Sequence, residues 1–115
     1  MAAAILEKVR ALGSVTFADL DRDIDGFGGG NASIELGQTN IVLWSGMSDA
    51  GLAALLEVRP LLEPHPCSAL VYLFDGAALK LPIAKGPGPY AHKRWLPTSF
   101  TLKAEHLPAE TKEGK

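Results

Sequence analysis

The pair Asp75-Gly76 lies between two apolar runs in SALVYLFDGAALKLP, Ser68 to Pro82, and no other feature restricts the fold of this chain as strongly. Asp-Gly in such a setting is the strongest short-range hairpin signal, because a type I′ turn needs positive φ at both central residues and its twist matches that of the strands it joins. With these two residues as the loop, Phe74 faces Ala77, Tyr72 faces Leu79 and Leu70 faces Leu81 on one side of the ribbon. Leu73 faces Ala78 and Val71 faces Lys80 on the other. The first side is the expected core face. Pro82 cannot donate to a ladder, so the return strand is expected to be an edge at that point.

The first half of the chain reads as helices. In AAAILEKVRALG, Ile5, Leu6, Val9 and Leu12 recur at helical spacing, Glu7, Lys8 and Arg10 take the other faces, and Gly13 supplies a left-handed stop. Ser14 and Val15 can bridge as extended chain. Thr16 then caps a second helix, with Asp19 in the capping-box position, Phe17, Leu20 and Ile24 on one face, and an end by Gly26. Gly26 to Gly30 is expected as a flexible connection and Ser33 to Leu36 as a brief extended piece. NIVLW, Asn40 to Trp44, is rich in β-branched and aromatic residues and reads as a short buried strand. Ser48 and Asp49 open a third helix, which carries Leu52, Leu55 and Leu56 and ends near Val58, before Pro60. Leu61 to Pro66 is expected as a connection, Lys85 to Pro89 as a loop, Tyr90 to Trp95 as a polar-aromatic segment and Ser99 to Leu102 as a last extended piece. Lys103 to Lys115 is charged and interrupted by proline, which predicts a frayed tail.

A chain of 115 residues that is 47% apolar and 21% charged fits one folded domain, here 1–102, and lies far from the composition of disorder. No apolar stretch approaches the ~18 residues needed to span a bilayer, and Glu7, Lys8 and Arg10 fall where a secretion signal would need its apolar region. With the lone Cys67 unable to form an internal disulfide, these features predict a cytoplasmic protein. Net charge is −2 but unevenly spread. From Ser14 to Asp75, nine carboxylates against Arg22 and Arg59 leave −7. From Gly76 to Ala104, Lys80, Lys85, Lys93, Arg94 and Lys103 stand without a single acid, giving +5.

Several stretches imitate functional motifs and fall short of them. Asp21, Asp23, Asp25 and Gly26 match the first half of a calcium loop, but position 8 is Gly28 and position 12, which must supply the bidentate carboxylate, is Ala32. They read as acidic residues around a helix end. Gly26 to Gly30 imitates a phosphate-binding glycine loop, yet no strand precedes it, no helix directly follows it, and the Lys-Ser or Lys-Thr of a P-loop is missing. His65, His92 and His106 lack the paired spacing of a zinc site. Cys67 has no base beside it in sequence, no nucleophile signature occurs, and Trp44 and Trp95 read as core or cover residues. The sequence thus offers no positive sign of catalysis, metal or cofactor.

Helix, short extended bridge, helix, connection, third helix and two-stranded hairpin is an order that resembles the winged-helix superfamily over Met1 to Ala84. The resemblance implies an α+β fold of three short helices plus a C-terminal β-hairpin wing, 68–84. Gly26 to Gly46, with its short strand, is an insertion before the third helix. In that family the third helix commonly enters the DNA major groove, but here it carries Asp49 and Glu57 with a single Arg59 at its far end, so it would repel phosphates. Contacts are instead expected from Lys80 on the wing and from a basic arm, 85–97, that presents Lys85, Tyr90, His92, Lys93, Arg94 and Trp95. The arm's few cations would release only a few counterions, while tyrosine and tryptophan are enriched as interface anchors. The reading is therefore a non-enzymatic module for protein interaction or self-association, with the acidic second helix as the complement of the arm. A DNA-binding regulator comes second and a small ligand sensor or enzyme third.

Overall fold

The computed structural model describes residues 1–103; the charged tail expected over 103–115 lies, from residue 104 onward, outside them. The fold is mixed α+β. Helix α1, Ala2–Leu12, buries Ile5 and Val9 and stops at Gly13, whose φ of 80° lets its N–H reach Val9 O at 2.7 Å. Strand β1, Val15–Thr16, leads directly into α2, Phe17–Asp23. The expected capping box is present: Asp19 N donates to Thr16 Oγ1 at 3.1 Å, and Thr16 N donates to the Asp19 carboxylate at 3.0 Å.

The glycine run is not a linker. It opens strand β2, Gly28–Glu35, which pairs antiparallel with β3, Ile41–Met47, through a bulged register. Its glycines serve close packing: a Cβ on Gly30 would meet the backbone of Met47 at 2.5 Å. The hairpin leads into α3, Asp49–Val58, capped by Ser48, whose Oγ accepts from Gly51 N at 2.8 Å. Ser48 N also donates to Phe27 O at 2.9 Å, fixing the start of α3 against the start of β2. One 3₁₀ turn, Arg59–Leu61, follows. The segment expected as a connection is then β4, Leu62–Pro66.

No hairpin closes at Asp75-Gly76. Ala69–Phe74 is helix α4, capped by Ser68, whose Oγ accepts from Leu70 N at 3.2 Å. Gly76, at φ 70°, ends it: Gly76 N donates to Leu73 O and Asp75 N to Tyr72 O, each at 3.0 Å. A glycine at positive φ serves a helix stop as well as a hairpin turn, and here Asp75 keeps a right-handed φ of −89°, as the stop requires; ALVYLF is apolar throughout, so periodicity does not separate the two. The cross-strand partners expected for the wing therefore do not exist. Tyr72 is buried, but Leu70 and Phe74 face solvent rather than the core.

The chain then runs irregularly to β5, Arg94–Trp95, and ends in β6, Thr98–Leu102. Two three-stranded sheets result among the described residues. One has the order β1-β6-β4 and is antiparallel; the other has the order β2-β3-β5, with β5 parallel to β3. Leu62 pairs with Leu102 and Pro66 with Thr98, so β4 and β6 lie side by side although residues 67–97 separate them in sequence. Both sheets and α1 to α4 close over one core. Its centre is aromatic: Phe17 stacks on Trp44 with centroids 5.9 Å apart and meets Phe100 edge-on at 5.2 Å, while Tyr72 lies 5.3 Å from Trp44.

Candidate interaction site

The basic arm is built into the fold instead of projecting from it. Trp95 is 2% exposed and its Nε1 has no hydrogen-bond partner among the described residues. Its backbone lies between two extended neighbours, with Arg94 N donating to Asn40 O at 2.8 Å, Leu96 N to Val42 O at 3.0 Å, and Trp95 N to Pro82 O at 2.8 Å. Trp95 is thus a core residue and not an interface anchor. The physical reason is the 94–96 register, which turns its large apolar ring inward beside Tyr72 and Trp44.

The other arm residues divide into engaged and exposed. Lys93 Nζ is 2.7 Å from a Glu35 carboxylate oxygen, and the Arg94 guanidinium lies over the Tyr90 ring at 4.6 Å from its centroid. The Tyr90 hydroxyl accepts from Lys85 N at 3.0 Å and Gly86 N at 2.8 Å and donates to Gly86 O at 2.9 Å. Asn40 Nδ2 donates to Tyr90 O at 2.7 Å, which ties the loop to the start of β3. Tyr90 therefore organises its own loop. Lys80, Lys85 and His92 are exposed, and none of them takes part in an ion pair among the described residues.

In the acidic second helix Asp19 and Asp23 are likewise engaged from within, while Asp21 and the following Asp25 are exposed and take part in no ion pair among the described residues. Asp23 accepts from Lys8 at 2.8 Å and from Arg22 at 2.9 Å, while Arg22 also reaches Asp19 at 2.9 Å and Asp75 at 3.1 Å. The bonds from Arg22 and then Lys8 hold the Asp23 carboxyl well below the usual carboxylate range, and the same carboxylates hold Arg22 charged. Among the described residues no three His, Cys, Asp or Glu side chains gather into a metal-holding group. Burial pushes the Cys67 thiol up, away from the reactive thiolate.

What the sequence reading missed is α4. Phe74 is 88% exposed, Leu70 61% and Leu73 55%, and Val71 beside them is exposed too. The helix is nevertheless held firmly. Tyr72, at its centre, accepts from Phe17 N at 3.0 Å and donates to Thr98 O at 2.6 Å, and Asp75 at its end pairs with Arg22. An element anchored by Tyr72 thus presents apolar side chains that would ordinarily be buried. A helical reading of 69–74 anchored on Tyr72 was the one available signal, because Leu70, Leu73 and Phe74 share a helical side at i, i+3 and i+4. No helix among the described residues is long and apolar enough to cross a membrane.

Comparison of the chain with family models, with curated proteins and with solved structures returns no match.

Proposed function

We propose that this chain is a non-enzymatic interaction module of winged-helix-like build that associates with a second copy of itself through α4. The observation that carries the reading is Phe74, 88% exposed on a helix that Tyr72 pins to the core. Anchored apolar side chains lose little conformational freedom on contact, which favours association over a mobile apolar loop. A helix presenting one such side meets its own copy naturally about a two-fold axis, since each Phe74 then covers the partner's α4.

The winged-helix likeness draws its support from the first sheet. A short strand follows α1, a strand follows α3 after one 3₁₀ turn, and the final strand lies between them in the order β1-β6-β4, which keeps the expected succession of helix, bridge, helix, third helix and strand pair. On this reading β4 and β6 are the wing strands and residues 67–97 are a long wing connection, which takes the place of the two-residue turn expected at Asp75-Gly76.

DNA binding is the second reading, favoured by the exposed Lys80, Lys85 and His92 on that connection. It is the weaker one because Lys93 and Arg94 are engaged within the chain and α3 exposes Asp49, Ala50, Ala53 and Glu57. Phosphate contacts too few to release many counterions give weak, salt-sensitive binding.

Sedimentation velocity at micromolar concentration tests the proposal. The wild type should sediment as a dimer and Leu70→Ser/Phe74→Ser as a folded monomer. A monomeric wild type, or a dimer that survives the double substitution, overturns it. Duplex titration at low and at physiological salt decides the second reading, which requires binding that Lys80→Glu/Lys85→Glu abolishes.

A further inference from the structure

The outer edge of β4 is closed to an added strand. Lys103 N donates to Leu61 O at 3.0 Å and Cys67 N donates to Pro97 O at 2.9 Å, so the odd-numbered residues turn their backbone toward β6 and its flanks. Strand alternation sends the backbone of Leu62, Pro64 and Pro66 outward. The two prolines have no N–H, and Leu62 N already donates to Arg59 O. An incoming peptide strand would find carbonyls there and no open donor.

Beside this edge lies a hollow of about 210 Å³ whose walls include Leu36, Leu43, Leu96, Arg59 and His65. It adjoins a second hollow of about 510 Å³ that shares Leu36, Pro66 and Leu96 and adds Ile41 and Lys85. Neither has a carboxylate or a phenyl or indole ring in its lining. His65 is engaged, with Nε2 3.0 Å from Thr101 Oγ1 and 3.9 Å from a Glu63 oxygen. Arg59 has no carboxylate partner among the described residues: Nη1 donates to Leu62 O at 3.3 Å, and the guanidinium stands 6.0 Å from the Phe100 ring centroid. No described residue accepts from its remaining donors.

We propose that this groove binds an aliphatic monocarboxylate, with the carboxylate on Arg59 and the chain along Leu36, Leu43 and Leu96. The guanidinium fork matches a carboxylate in two parallel bonds and keeps its charge at any physiological pH. Walls of leucine, isoleucine and proline offer apolar burial without a stacking surface, which favours an alkyl chain over an aromatic acid. Lys85 at the far end adds positive potential, and the proline edge removes the extended peptide as a competitor.

Octanoate and its neutral counterpart octanol, titrated into the full chain with leucine methyl resonances followed by NMR, test the proposal. Octanoate should saturate, with shifts confined to Leu36, Leu43 and Leu96. Arg59→Gln should weaken octanoate about tenfold or more while leaving the weaker octanol binding unchanged. Leu36→Glu, at an exposed turn, should weaken octanoate comparably by placing a carboxylate in the groove, and it decides the matter if Arg59→Gln does not fold. Failure of octanoate to saturate, shifts at Leu70 and Leu73 of α4 instead, or equal affinity in wild type and Leu36→Glu overturns the assignment.

Discussion

The rings of Tyr72 and Trp95 meet edge to face, with centroids 5.0 Å apart and planes at 84°, so the buried aromatic side chain of α4 packs on the buried aromatic side chain of β5. This contact joins the two parts of the 67–97 connection to the core that α2 and β3 build. Tyr72 is the one large side chain of α4 turned to the core, where its ring also lies 5.3 Å from Trp44, while the other large side chains of the helix face water.

Tyr72→Phe keeps that ring contact and removes only the hydroxyl. Thr98 O then loses the donor it meets at 2.6 Å and Phe17 N the acceptor at 3.0 Å. Leaving such groups unpaired costs about 1–3 kcal/mol, and urea denaturation should show a loss of that size. Tyr72→Ala should lose more, about 3–5 kcal/mol, because the ring vacates the centre of the core. Equal stability of wild type and Tyr72→Phe would contradict the bonding described.

Alkaline pH should destabilise the fold through the same residue. Burial pushes the Tyr72 phenol well above its ordinary value. A folded-state value above the unfolded one means that this stabilisation is fully present below about pH 10 and declines as pH rises above it. Thermal melts above pH 10 should therefore show a falling Tm, and Tyr72→Phe should fall less steeply over the same range.

On the acid side the sign is opposite and the residue is Asp23. Its carboxyl is depressed by Arg22 and Lys8, so its contribution is present above an ordinary carboxylate value of about 4 and is lost as pH falls below it. Asp23→Asn should flatten the acid limb of the Tm profile. Because these pairs face solvent, the difference between wild type and variant should also shrink at high ionic strength.

Gly51→Ala sets helix propensity against space. Alanine favours a helix interior by about 1 kcal/mol over glycine, but a Cβ at position 51 would run into the Phe27 carbonyl. That carbonyl also accepts from Ser48 N, so it cannot move without releasing the start of α3. The clash should outweigh the propensity, giving a net loss of about 1–3 kcal/mol by chemical denaturation. Gly76→Ala has open space and only the φ of 70° against it, and should cost about 1–2 kcal/mol.

The chain's local chemistry marked the stop of α1 and the starts of α2 and α3. Thr16 with Asp19, Ser48 with Gly51 N, and Gly13 at positive φ act within a few residues, so their effect can be read from neighbours in sequence. The apolar NIVLW strand was legible for a similar reason, since β-branched and aromatic residues together suit a buried strand. Local chemistry could not decide 69–74, where both a helix stop and a hairpin turn satisfy Asp75-Gly76. What settled it is distant: Tyr72 finds its partners at Phe17 and Thr98, and β4 takes its partner from β6 across residues 67–97. The candidate sites follow the same division. The cations of the arm were visible as residue types, but only the fold could bring Glu35 to Lys93, lay Arg94 over Tyr90, bury Trp95 and leave Phe74 in water, because each of those outcomes depends on which distant surface the segment meets.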